Sequence, residues 1–133
     1  MCVALEPDVL SISVGGYMGP SYRVRWEGGG LVYEAATTGY HSRERAVITP
    51  SKKEWEAFWA ALDAVKVREW AEHYWQPVVD GTGWSVEIKH GGWSLHCEGS
   101  NAYPPKGDSI QPSREFRRFC RAVSRLVGDR EFA

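Results

Sequence analysis

The sequence lacks any apolar run of about 18 residues, so no membrane-spanning helix is expected. It is poor in cysteine. Cys2, Cys97 and Cys120 stand far apart, with no Cys-x-x-Cys pair. An odd, scattered set argues for reduced thiols and against a disulfide frame or a zinc knuckle. The N-terminal stretch carries Glu6 and Asp8 and has no basic start followed by an apolar middle, so no secretory leader is expected, and the expected compartment is the cytoplasm. There is no P-loop, no GxGxxG and no GxSxG, so no cofactor is expected. His41, His73, His90 and His96, with Asp80 and Glu98, lack the HExxH or CxxC spacing that fixes metal ligands on one element, and no metal site is expected. A formal net charge of −1 gives no global attraction to nucleic acid.

Aromatic residues are plentiful. Seven Trp, six Tyr and four Phe in 133 residues suit one domain with a sizeable core, residues 1–8 forming a loose lead-in. The most legible stretch runs from Asp80 to Pro105. Trp84, Val86, Ile88 and His90 alternate with Ser85, Glu87 and Lys89, the period-two mark of a half-buried strand. Gly91-Gly92 supplies a two-residue turn, and Trp93, Leu95 and Cys97 resume the apolar face. This turn predicts a register of His90 opposite Trp93, Ile88 opposite Leu95, Val86 opposite Cys97 and Glu87 opposite His96. Slipping it by one residue would mix the faces. The strand is expected to end at Gly99, where loop composition begins.

An earlier hairpin is built alike. Leu10, Ile12 and Val14 mark a first strand. Tyr22, Val24 and Trp26 mark a second, and after Gly28-Gly29-Gly30 the residues Leu31, Tyr33 and Ala35 mark a third. The predicted register sets Trp26 opposite Leu31 and Val24 opposite Tyr33, with Arg23 opposite Glu34 as a surface pair. Residues 44–49 form a fourth strand. Ser51 with Glu54 matches a capping box, and Trp55, Phe58, Trp59, Leu62 and Val65 recur at helical spacing. Val67, Trp70 and Tyr74 suggest a short helix or an ordered loop over the core. Ser113 caps a last helix to about Val127, stopped by Gly128. The expected fold is α+β: an antiparallel sheet of about six strands built from hairpins, in ββββαββα order, with helices packed on one face.

Two surfaces are candidate binding sites. One is the loop GSNAYPP, where Asn101 and Tyr103 stand beside Trp70 and Tyr74, since loops on rigid scaffolds often carry binding residues. The alternative reading of this loop is structural, with Asn101 in an Asx-type turn and Tyr103 packed under the helix. The other is the last helix, where Arg114, Arg118, Arg121 and Arg125 share one face, flanked by Arg117. Residues 113–133 carry six Arg against three acids. Such a face meets phosphates or an acidic protein, or is simply solvated. Glu87 and His96 are the one acid–base pair that the register brings together. No Ser or Cys nucleophile accompanies them, and an exposed cross-strand pair is the plainer reading.

Two resemblances bear on these residues. Val67, Trp70 and Tyr74, then Asp80-Gly81, then Trp84, Val86 and Ile88, then Gly99-Ser100-Asn101-Ala102-Tyr103-Pro104 resemble a widespread bacterial domain to which no activity is assigned. This pattern covers about a third of the chain. Gly15-Gly16-Tyr17-x-Gly19 between two strands is similar to emfourin-type inhibitors of thermolysin-like metalloproteases, over about residues 10–35. That resemblance implies an inhibitor acting through the Gly15–Pro20 loop, although no inhibitory residue aligns. The residues thus point to a non-catalytic binding domain whose partner is another protein. A second copy in a homodimer, a metalloprotease, nucleic acid at the Arg face, and a small enzyme using Glu87 and His96 stand as alternatives. No membrane partner is expected.

Overall fold

The computed structural model describes residues 5–16, 20–36, 43–77, 81–107 and 111–133. Among the described residues seven strands form one sheet: β1 (Val9–Gly16), β2 (Ser21–Glu27), β3 (Gly30–Ala36), β4 (Arg43–Ile48), β5 (His73–Trp75), β6 (Thr82–His90) and β7 (Trp93–Ser100). Two helices, α1 (Lys52–Ala64) and α2 (Arg114–Leu126), cover one face. The strand order is β4-β3-β2-β1-β6-β7-β5. β1 thus lies at the centre and joins the N-terminal meander to the β6–β7 hairpin.

Both predicted hairpin registers are present. Val86 faces Cys97, Ile88 faces Leu95 and Glu87 faces His96. Trp26 faces Leu31 and Val24 faces Tyr33. The turns explain why. Gly91 and Gly92 have φ of 56° and 87°, and Gly28 and Gly29 have φ of 60° and 83°. A two-residue turn with positive φ at both positions matches the twist of the flanking strands, and glycine takes it without steric cost. Arg23 stands opposite Glu34 as expected, but the ion pair runs diagonally. Arg25 Nη2 lies 3.3 Å from Glu34 Oε1, and the same guanidinium reaches Glu27.

The sheet has seven strands, not six, and is not wholly antiparallel. His73–Trp75 pairs parallel with β7 at the edge, after a 3₁₀ turn at Val67–Glu69. The Gln76 amide donates to the Ser100 carbonyl and the Glu98 amide to the Glu72 carbonyl, which carries the ladder past both ends of β5. β7 also runs through Gly99 to Ser100, past the expected end.

α1 opens with the capping box. Ser51 Oγ accepts from the Glu54 amide at 3.2 Å, and Glu54 Oε1 accepts from the Ser51 amide at 3.0 Å. Ser113 caps α2 in the same manner, accepting from the Phe116 amide at 3.1 Å, and its hydroxyl donates to the Pro104 carbonyl. This ties the start of α2 to the loop that leaves β7. The core lies between sheet and helices, with Leu10, Ile12, Val24, Val86 and Ile88 of the sheet against Phe58, Leu62, Phe119 and Val123 of the helices. The other face of the sheet carries Ser11, Ser13, Arg23, Arg25, Glu87, His96 and Glu98 and has no covering layer among the described residues.

Candidate functional site

The structure brings Trp70, Tyr74, Asn101 and Tyr103 together, and it places them inside. Their exposures are 7%, 8%, 6% and 5%. Trp84 is the hub of this cluster. Its ring lies 6.3 Å from Trp70, 5.8 Å from Tyr74 and 5.0 Å from Phe116, centroid to centroid. Trp84 Nε1 donates to the Ala102 carbonyl at 2.8 Å, and Trp70 Nε1 to the Val65 carbonyl at 3.2 Å. The Tyr74 hydroxyl accepts from the Ala71 amide at 2.8 Å. Burial raises the Tyr74 and Tyr103 phenols above their ordinary value. The polar atoms of the cluster are thus committed to the fold.

Asn101 has a structural part. Its backbone is left-handed, with φ of 55°, and its amide donates to the Thr82 carbonyl while Oδ1 accepts from the Thr82 amide at 2.9 Å. The side chain completes the end of the β6–β7 ladder, as an Asx-type reading anticipates. A Cβ at Gly81 would collide with Asn101 Oδ1, so glycine there makes room for the carboxamide. The described residues that carry the first resemblance, from Val67 to Pro104, therefore meet around one packing unit; Asp80 lies outside the described residues. Two replacements separate the roles of Asn101. Asn101→Gly keeps the backbone conformation but loses the acceptor for the Thr82 amide, a cost of about 1–3 kcal/mol. Asn101→Ala loses the acceptor and forces a Cβ into the left-handed region, for about 1 kcal/mol more. Urea unfolding is expected to rank them wild type, Gly, Ala; an Ala variant as stable as the Gly variant would contradict this.

Glu87 and His96 lie on the open face of the sheet. His96 Nδ1 is 3.8 Å from Glu87 Oε2, with side chains 62% and 44% exposed. Beside them His73 Nδ1 lies 3.1 Å from Glu98 Oε1, also in solvent. Neither pair lines any of the three clefts described below. No group of three or more His, Cys, Asp or Glu able to hold a metal occurs among the described residues. His41 and Asp80, two of the residues weighed for metal, lie outside the described residues, as does Cys2.

Cys97 and Cys120 are buried, and burial pushes both thiols up to about 12. A thiol so shifted is almost wholly protonated at neutral pH and is a poor nucleophile. The expected result with a thiol-exchange reagent is at most one reactive group per folded chain, the other two appearing only in guanidinium. A fast phase of two or three would show that the core opens readily.

The second candidate surface is exposed. Arg114, Arg117, Arg118, Arg121 and Arg125 stand in solvent around α2. None of them pairs with a carboxylate among the described residues, in contrast to Arg25 and Arg68, which do. Between α1 and α2 runs a groove of about 370 Å³. Its lining is mostly apolar: Ala57 and Ala64 are exposed, Ala61 is half-buried, and Phe58, Val65, Ala122 and Leu126 are buried beneath them. Arg118, Arg121 and Arg125 form one wall. Arg114 and Arg118 line a neighbouring cleft that continues past Ala64 to Trp70 and Pro105. The helical spacing of the arginines follows from the buried stripe they oppose: Phe116, Phe119, Cys120, Val123 and Leu126 fill the sheet side and leave the basic residues outward.

A larger cleft lies on the other side of α2, beneath Arg117. Of its residues the sequence pointed to Tyr103, to Arg121 of the basic face and to Arg117 as a flank of that face. Tyr22, Thr82 and Phe132 come from segments far apart in the chain, and no local pattern could have joined them. The loop that carries the emfourin resemblance borders this region. Gly15 and Gly16 end β1 and Pro20 precedes β2, while Tyr17, Met18 and Gly19 lie outside the described residues. Among the described residues no helix is long and apolar enough to cross a membrane. The sequence matches no family model and no curated protein.

Proposed function

We propose that this is a non-catalytic interaction domain that binds an acidic, amphipathic protein segment in the groove between α1 and α2. The observation that carries this reading is the row of α2 arginines standing without carboxylate partners among the described residues, beside an apolar lining. A guanidinium on a protein surface is a strong, directional donor to carboxylates, and Arg is among the residues enriched at interface hot spots. The small alanines of α1 admit close approach of a partner backbone or of short aliphatic side chains. A segment with carboxylates along one edge and apolar residues along the other satisfies both features.

A phosphate backbone fits less well. Glu54 sits in the groove and Glu69 and Glu115 in the adjoining cleft, where they repel a continuous polyanion more than a segment whose carboxylates lie along the arginine edge alone. The whole chain carries a net charge of −1 and lacks the long-range field that drives nucleic-acid association.

The test uses a helical peptide with Glu on one face and Ala and Leu on the other. It is compared with the same residues scrambled and with a duplex DNA of equal charge. Calorimetry at low and moderate salt is expected to show saturable binding of the amphipathic peptide, with weaker binding of the scrambled one. Binding of DNA alone, with a steep salt slope, would move the assignment to nucleic acid. Binding of none of the three would overturn the proposal.

A further inference from the structure

A cleft of about 820 Å³ lies where β1, β2 and β6 meet the side of α2 opposite the α1/α2 groove. Its volume falls within the range of small-molecule sites. Its apolar lining comes from Val14, Tyr22, Phe116 and Phe132. Phe132 is 4% exposed and packs on Tyr22 at a ring distance of 5.9 Å. The C-terminal stretch that carries Phe132 is fastened to the body. The Tyr33 hydroxyl donates to the Glu131 carbonyl at 2.6 Å, Ser124 Oγ donates to the Arg130 carbonyl, and the Asp129 amide to the Ser124 carbonyl at 2.9 Å. This wall of the cleft is therefore built, not draped.

The charges are placed unequally. Arg117 and Arg121 are one helical turn apart on α2, both line the cleft, and neither has a carboxylate partner among the described residues. Residues at this spacing stand side by side, so both guanidiniums reach one anionic group. The one acidic side chain of the lining is Glu131; burial first and the nearby Glu131 carboxylate second hold the Tyr22 phenol above its ordinary value, so the phenol stays a donor. We infer that this cleft is a binding site for an organic anion with an apolar body, such as a medium-chain or aromatic carboxylate. The carboxylate meets Arg117 and Arg121, and the body lies along Val14, Phe116 and Phe132.

Arg121 borders both this cleft and the α1/α2 groove, whereas Arg117 lines only the cleft and Arg118 and Arg125 only the groove side. The site therefore stands apart from the proposed docking surface, and either reading can fail without the other.

The experiment is titration of the full chain with octanoate, octylamine and octanol, followed by calorimetry and by shifts of backbone amide resonances. One saturable site for octanoate is expected, with octanol weaker by roughly tenfold and no binding of octylamine. Arg117→Gln is expected to weaken octanoate roughly tenfold. Glu131→Gln removes a neighbouring negative charge and is expected to tighten it by a few fold. Circular dichroism of each variant confirms that the fold is kept, and amide shifts at Thr82, Phe116 and Phe132 locate the ligand. No saturable binding of octanoate, equal binding of octylamine, or an Arg117→Gln variant that binds as the wild type does would each overturn the inference.

Discussion

Gly99→Ala is expected to destabilise the protein by about 3 kcal/mol or more, a large share of the 5–15 kcal/mol that holds a domain together. Gly99 lies in β7 directly opposite Trp84. A Cβ at this position would collide with Trp84 Nε1 and Cε2 and would stand 2.7 Å from the Ala102 carbonyl oxygen. These are the two ends of one hydrogen bond, in which the indole donates to that carbonyl. Neither end can yield. Trp84 is gripped by Trp70, Tyr74 and Phe116, and Ala102 is fully buried. The added methyl must therefore break the bond, leave a buried carbonyl unpaired and force the indole off its rotamer. Gly83 provides the contrast in the paired strand. A Cβ there comes no closer than 3.9 Å to the Gly99 carbonyl oxygen, and Gly83→Ala is expected to change stability by no more than about 0.5 kcal/mol. A double-mutant cycle sharpens the point. Trp84→Phe deletes the atoms that clash, so the double variant should be more stable than the sum of the single losses implies. Urea unfolding of the four proteins decides it; a Gly99→Ala loss below about 1 kcal/mol would mean that the Trp84 packing is looser than its contacts indicate.

The same region shows what could be read from the residues and what could not. The β6–β7 and β2–β3 registers were legible because two constraints coincide. A two-glycine turn admits one pairing, and only that pairing sorts the apolar residues to one side. The capping box of α1, the Ser113 cap of α2 and the helical stripes were legible because they are local and periodic. β5 was not, since three residues offer no period, and its parallel partner β7 follows it only after β6 has been laid down. Gly99 and Asn101 both read as loop because both residue types favour turns; Gly99 instead falls in β7, while Asn101 follows its end. Asn101 is buried and Gly99 half-buried because tertiary neighbours claim them: an indole needs the space at Gly99, and the Thr82 amide needs the oxygen of Asn101. Arg117 illustrates the limit on sites. On a helical wheel it only flanks the basic stripe. It faces a cleft because the ends of β1 and β6 and the C-terminal stretch close around that side of α2.

Reversing charge at Arg118 and Arg125 together is expected to abolish binding of the acidic amphipathic peptide, with a loss of at least about 100-fold. The magnitude follows from the setting. A single exposed ion pair contributes about 0.2–1 kcal/mol, because water screens it and two long side chains must be ordered. Glutamate at these sites does more than remove attraction, since it places a like charge at the same distance. At about 4 Å and the effective dielectric constant near a protein surface, one such contact is worth up to about 4 kcal/mol before solvent screening, so two reversals readily exceed the roughly 2.7 kcal/mol that 100-fold represents. Fold stability should not suffer. Both arginines are exposed, neither pairs with a carboxylate among the described residues, and the buried stripe of α2 is untouched. If charge steers the encounter, the association rate falls more than the dissociation rate rises, and the difference from wild type shrinks as salt increases past the point where the screening length is about 8–10 Å. Arg118→Gln with Arg125→Gln separates attraction from repulsion and should cost only about tenfold. Peptide affinity that ignores both pairs of substitutions would place the acidic partner elsewhere and leave the α2 arginines as a solvated face.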